Sequence, residues 1–303
     1  NDNNTCSSSI TVTITEPAAL LVSETHVNVA CSGGTGSIDI TSSGGVAPRT
    51  YLWNDGATTE DRTSIIPGNY SVTVSDNNTC SASIAVTINS NAAIVIAETH
   101  TDVTCFGGNN GAININVSGG VAPYSYLWND AAVTANRISL ISGSYILTVT
   151  DNNLCVEFIS INIAQPPAIN LSENHINVLC NGNSTGSIAI TTTGGVAPLT
   201  YLWNDGNTSL NRTNLPAGNY SVTTTDNNTC SSSLSVNISE PSAVNLSETH
   251  TNVLCNAGNT GTISVLATGG VSPYSFLWGD GSTLQNRIHL IHGDYSVTAQ
   301  DNN

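Results

Sequence analysis

The chain of 303 residues carries five Arg and no Lys against 21 acidic residues, a formal charge of −16. Phosphate backbones and anionic headgroups repel such a chain, which excludes nucleic acid as a partner. Its 39% apolar content is too high for a disordered acidic tail, and no run of about 20 apolar residues is present for membrane insertion as a helix.

In chain order, Ile10-Thr11-Val12-Thr13-Ile14 alternates apolar and polar residues, the period of a half-buried strand, and Glu16-Pro17 closes the segment. Gly36-Ser37-Ile38-Asp39-Ile40 predicts the next strand and Thr50-Tyr51-Leu52-Trp53 another. Tyr70-Ser71-Val72-Thr73-Val74-Ser75 and Ile84-Ala85-Val86-Thr87-Ile88 alternate again, with Asp76-Asn77-Asn78 as the hairpin turn between them. No segment has a helical period.

The pattern then repeats. Trp53, Trp128, Trp203 and Trp278 are 75 residues apart, as are Pro48, Pro123, Pro198 and Pro273, and Tyr70, Tyr145, Tyr220 and Tyr295. A single one-residue slip falls in the turn Gly107-Gly108-Asn109-Asn110-Gly111. The chain opens at Asp2-Asn3-Asn4-Thr5-Cys6 and closes at Asp301-Asn302-Asn303, the same phase, and reads as a cut from a longer array. The expected boundaries are 1–16, the last strand of a preceding repeat, then 17–90, 91–165, 166–240 and 241–303, the last truncated before its final strand.

Six or seven short strands in ~75 residues predict an all-β fold, a tandem array of immunoglobulin-like β-sandwich repeats. Trp53 sits on the third strand, where such folds bury a Trp. Tyr70 follows Pro67-Gly68-Asn69, the place for a tyrosine that pins the corner. Four sandwiches in line, with short proline-marked connectors, predict a rod of roughly 150 Å.

Gly-Gly-x-x-Pro, an aromatic-Leu-Trp strand, Asp-Gly, Gly-x-Tyr-x-Val-Thr and Asp-Asn-Asn-x-Cys together resemble the SprB repeat of giant Bacteroidetes surface adhesins. The resemblance implies export by the type IX route, display on the outer membrane, and a role in adhesion or gliding motility. It transfers no catalytic or binding residue, because the matching positions are scaffold.

Eight cysteines at regular phase, without a C-x-x-C pair, predict disulfides rather than zinc. Bonding within a repeat pairs Cys31 with Cys80, Cys105 with Cys155 and Cys180 with Cys230, leaving Cys6 and Cys255 to partners outside this stretch. Bonding across the proline linker pairs Cys6 with Cys31, Cys80 with Cys105, Cys155 with Cys180 and Cys230 with Cys255. The within-repeat set is preferred because a small domain gains most from its own staple. Against it, the two cysteines of a repeat lie ~25 Å apart at opposite strand ends in a plain immunoglobulin topology.

Arg62, Arg137, Arg212 and Arg287 keep one phase and predict one structural ion pair per repeat. Glu24 with His26 recurs as Glu98–His100, Glu173–His175 and Glu248–His250; it reads as a polar bridge at a bulge or sheet switch rather than a metal pair. The four Trp and the four in-phase Tyr are expected in the core rather than as sugar platforms. Asp55-Gly56 and Asp76-Asn77-Asn78 are the candidate Ca²⁺ ligands, but they lack the acidic ladder of a calcium loop, so no cofactor is expected. No catalytic motif is present. The expected function is therefore that of a non-enzymatic extracellular stalk, bearing tension and projecting an adhesive region. Its partners are neighbouring repeats, with glycans or other cells met through regions outside this stretch. A glycan-binding module and a secreted fibre of many chains are the rivals.

Overall fold

The computed structural model describes residues 7–303; the expectations for residues 1–6, Cys6 included, lie outside them. Each repeat builds the same strands. The first has β1 (Leu21–Val27), β2 (Gly36–Ser43), β3 (Thr50–Trp53), β4 (Arg62–Ile65), β5 (Gly68–Ser75) and β6 (Ser81–Ile88). The second has β7 (Val95–Thr101), β8 (Gly111–Ser118), β9 (Ser125–Trp128), β10 (Arg137–Leu140), β11 (Gly143–Thr150) and β12 (Val156–Ile163). The third has β13 (Asn170–Ile176), β14 (Gly186–Thr193), β15 (Thr200–Trp203), β16 (Arg212–Leu215), β17 (Gly218–Thr225) and β18 (Ser231–Ile238). The last has β19 (Asn245–Thr251), β20 (Gly261–Thr268), β21 (Ser275–Trp278), β22 (Arg287–Leu290) and β23 (Val297–Gln300).

In the first repeat the sheets run β1-β2-β4 and β3-β5-β6, all antiparallel, and the same order recurs in the next two. The alternation in sequence supplies the two inner faces, since successive side chains point to opposite sides of a strand. Val72 and Val74 of β5 and Val86 and Ile88 of β6 pack with Ile38, Ile40, Ile65 and Val29 around Trp53. Each such side chain contributes ~1.5–3 kcal/mol on burial. This is a tandem immunoglobulin-like β-sandwich array.

Two features depart from the strand reading. Arg-Thr-Ser-Ile at 62–65 has no alternation, yet it forms β4, because its pairing with β2 shifts register between Gly36 and Ile38. Ser64 takes a left-handed φ of 54° there, as do Ser139, Asn214 and His289 at the same phase. The extra residue lets Arg62 and Ile65, three apart, both face inward. The shift expected beside the Glu–His pair is absent: β13 pairs with β14 in unbroken register from Asn170 to Ile176.

The glycine pair of the recurring phrase has a steric cause. A Cβ on Gly44 would lie 1.9 Å from the Ala19 carbonyl oxygen, and the residue's φ is 73°. Gly119, Gly194 and Gly269 meet Ala93, Ala168 and Ala243 in the same way. The prolines of the phrase all follow cis peptide bonds.

The third repeat places Thr224 where its neighbours have Val74 and Val149. Its hydroxyl is fully buried and finds no hydrogen-bond partner. Thr224→Val is expected to stabilise this repeat by about 1–3 kcal/mol, read as a higher denaturation midpoint with unchanged slope.

The chain divides into two compact units, Asn1–Thr101 with Gly111–Ile163, and Asp102–Asn110 with Ala164–Asn303. The division does not follow the expected repeat boundaries, since the Cys105 loop leaves the repeat whose strand it follows and joins the second unit. The expected strand at Ile10–Ile14 is not paired either. Residues 7–16 have no regular structure, and Ile10, Val12 and Ile14 are 89%, 72% and 93% exposed, because no described strand lies beside them to complete the ladder.

Candidate functional site

Each repeat centres on one arginine. Arg62 donates from Nη1 and Nη2 to Asp55 Oδ1 and Oδ2 at 2.9 and 2.6 Å. Its guanidinium lies 5.3 Å from the Trp53 ring centroid and 5.7 Å from that of Tyr70. The Trp53 indole, 2% exposed, donates to the Thr59 carbonyl, and the Tyr70 hydroxyl donates to the Ile66 carbonyl, the tie of a tyrosine corner. Arg137, Arg212 and Arg287 bind Asp130, Asp205 and Asp280 in the same bidentate way. The bulge in β4 points the arginine at the turn after β3, so its acidic partner lies seven residues earlier in sequence. Arg137→Ala removes the aliphatic stem as well as the charge, and an expected loss of about 1–2 kcal/mol from the second repeat is read by chemical denaturation. Arg137→Lys, unable to form the fork, is expected to recover only part of it.

The carboxylates titrate low. The Arg62 hydrogen bonds, with the Ala57 amide, hold Asp55 below its ordinary range, and the other arginines act likewise on Asp130, Asp205 and Asp280. Asp76 is lowered first by the Val46 amide, then by those of Cys80 and Asn78. At Asp151 and Asp226 burial pushes upward as the largest single effect, but three backbone amides together outweigh it. A carboxyl depressed in the folded state adds stability above its unfolded value of ~3.9, and that stability is lost as pH falls through the folded value. Thermal stability should therefore change little from neutral pH down to about 4 through these groups and fall below it, as scanning calorimetry across that range would show.

The disulfides differ from the preferred within-repeat set. Cys31 is bonded to Cys155 and Cys105 to Cys230, with Cα–Cα distances of 5.4 and 5.6 Å. Cys80, Cys180 and Cys255 are free thiols, so neither the bonds Cys31–Cys80, Cys105–Cys155 and Cys180–Cys230 nor the linker-crossing set forms. The reason is the geometry of the sandwich. The loop after β1 lies where β6 leaves, with the Val29 amide on the Asn89 carbonyl, whereas Cys80 precedes the other end of that eight-residue strand. Eight residues at ~3.4 Å each put the two ends beyond disulfide reach.

The loop instead meets the following repeat. Gln165 Oε1 accepts from the Gly107 amide at 2.7 Å, and Glu240 Oε2 from the Gly182 amide at 2.7 Å, fastening each cysteine loop to the linker that leaves its repeat. Asn228 Nδ2, two residues before Cys230, donates to the Thr104 carbonyl at 3.0 Å. The rule is that the first cysteine of one repeat bonds the second cysteine of the next. The near-constant separation, 124 and 125 residues, gave no signal for it in sequence, because every same-phase pairing in a 75-residue period is as constant.

The remaining candidates are arranged as follows. His26 Nδ1 lies 3.0 Å from Glu24 Oε2, and His100, His175 and His250 repeat the contact with Glu98, Glu173 and Glu248. No group of three or more His, Cys, Asp or Glu side chains fit to hold a metal occurs among the described residues. Asp55 and Asp76, the candidate calcium ligands, turn their oxygens to arginine and to backbone amides. All four tryptophans are 2–3% exposed, so their faces meet the core rather than a sugar.

A structural repeat protein of the cell surface is the class these repeats define. The chain is a SprB-repeat protein: the SprB repeat family matches it at residues 23–58, 97–133, 172–208 and 247–283. No curated protein matches it. Among solved structures it is similar to one described as the structural basis for Dscam isoform specificity, at 11% identity and a TM-score of 0.26, covering 94% of this chain and 92% of that one. Domains 4–9 of surface layer protein SbsC match at 13% identity and a TM-score of 0.23, over 83% of this chain and 54% of that one. The extracellular cadherin domains 1–4 of protocadherin gamma B7 match at 10% and 0.28, over 74% and 72%.

Proposed function

We propose that the chain is a stalk segment of a very large cell-surface adhesin, exported by the type IX route, that projects an adhesive region and bears tension in attachment or gliding. It catalyses no reaction in this reading. The observation that carries it is the interleaving of the two disulfides, Cys31–Cys155 and Cys105–Cys230. Three stretches of chain, 31–105, 105–155 and 155–230, then connect the same two covalent junctions in parallel. Tension passes through the shortest of them, 105–155, and a peptide-bond break in one stretch leaves the other two intact. Such redundancy suits a filament outside the cell, where no glutathione pool reduces it.

Single-molecule stretching tests the reading. The oxidised chain should reach only about half the contour length of the reduced one, at ~3.6 Å per residue. Equal lengths would show that the bonds do not carry the load.

A further inference from the structure

We propose that the outer face of the β9-β11-β12 sheet in the second repeat is a contact surface for a second copy of this chain, the two faces meeting about a two-fold axis. The inference stands apart from the tension-bearing role, since it concerns a sheet face and not the disulfides.

Successive side chains alternate between the two faces of a strand. The register therefore sets Leu127, Thr148 and Phe158 side by side in one outward row across the three strands. Ile146 stands in the next outward row on one side and Val156 in that on the other. Leu127 is 55% exposed, Ile146 42%, Val156 59% and Phe158 69%. The whole face lies within one compact unit.

The flanking repeats carry a hydrated face at the same place. Leu127 has exposed counterparts in Leu52 and Leu202. Where the second repeat has Ile146, Val156 and Phe158, however, the first has Ser71, Ser81 and Ser83, and the third has Ser221, Ser231 and Ser233. There the central threonine pairs its hydroxyl with a serine, Thr73 with Ser83 and Thr223 with Ser233, both at 3.0 Å. The sandwich does not need the apolar set, because its neighbours form the same sheet with serine. Three large apolar side chains on one outward face gain only by leaving water against a partner.

Two observations commit that partner to a second copy. The first is symmetry. A rotation of 180° about an axis along β11 lays Phe158 of each chain over Leu127 of the other, with Thr148 over Thr148 at the axis. The bulky ring meets the shorter side chain and the small residues meet each other, so the row is its own complement, as an isologous contact requires. Apolar sheet faces pack in this manner ~10 Å apart with strands within about 30°. The second is charge. At −16 without a Lys, two copies repel one another wherever acidic side chains meet. Glu157 is the one charged residue of the three strands, and it alternates to the other side of the sheet. A cationic partner would be drawn to carboxylates and has no use for a face without charge.

The area sets the strength. Three strands ~4.8 Å apart and four outward rows present roughly 350 Å² on each copy, under half of the ~800 Å² that a stable pair uses. One such contact is transient, and it holds chains side by side only where they are concentrated.

Sedimentation velocity of the 303-residue chain tests the contact, with free thiols alkylated and both disulfides intact, at concentrations up to about 1 mM. The sedimentation coefficient should rise with concentration, and rise further in high salt, which screens the mutual repulsion. Phe158→Ser with Ile146→Ser installs what the neighbouring repeats hold, and should weaken the association at least ~10-fold without changing the melting profile. Ser71→Ile with Ser83→Phe gives the first repeat the same apolar row and should strengthen it. A chain that stays monomeric throughout, an association equal in the Phe158→Ser/Ile146→Ser variant, or one that salt weakens would overturn the proposal.

Discussion

Reducing the oxidised chain is expected to cost about 5 kcal/mol for each disulfide, lowering the melting temperature of both compact units. The bonds close loops of 124 and 125 residues, and the chain-entropy treatment gives ~4.7 kcal/mol for a loop of 100. The two loops interleave, so the second bond closes a loop that the first has already shortened, and the combined loss should be less than additive. Calorimetry with and without reductant measures the loss. The double variant Cys31→Ser/Cys155→Ser should show less than half of the combined effect, because Cys105–Cys230 remains, with the loss centred on the first unit, while a chelator leaves the oxidised protein unchanged. Equal melting temperatures before and after reduction would remove the clamp as a source of stability.

Replacing Trp128 with Ala is expected to cost the second repeat ~3–5 kcal/mol, a large share of what a domain of this size has. The ring is 2% exposed, its Nε1 donates to the Thr134 carbonyl at 2.8 Å, and Arg137 sits 5.3 Å from its centroid. The substitution therefore opens a cavity, leaves that carbonyl unpaired and takes the ring from beside the arginine, which keeps its bonds to Asp130. Repeats couple only to their neighbours, so the others should lose much less. Trp53, Trp203 and Trp278 remain as fluorescent reporters of their own repeats, and hydrogen exchange follows the second. Protection in the second repeat equal to that of the unaltered chain would contradict the core role of the indole.

Local pattern was enough for much of the fold. Alternation along 70–75 and 84–88 and the turn at Asp76 are written in neighbouring residues, and the 75-residue period made each reading four times over. The same holds for Trp53 and Tyr70, whose phases mark an inward strand position and a corner. The strand at 62–65 was illegible because its inward face depends on a bulge at Ser64, which no alternation announces. The partner of Arg62 was illegible for the same reason.

What the sequence by itself determined is the class of chain: all-β, repeated, acidic and rich in cysteines at two fixed phases. Those phases are properties of single segments, set by side-chain period and turn chemistry. Only the tertiary structure decided which cysteine meets which. A disulfide depends on where strand ends come to lie, and here an eight-residue strand separates the two cysteines of one repeat while the linker carries the first of them to the second cysteine of the next.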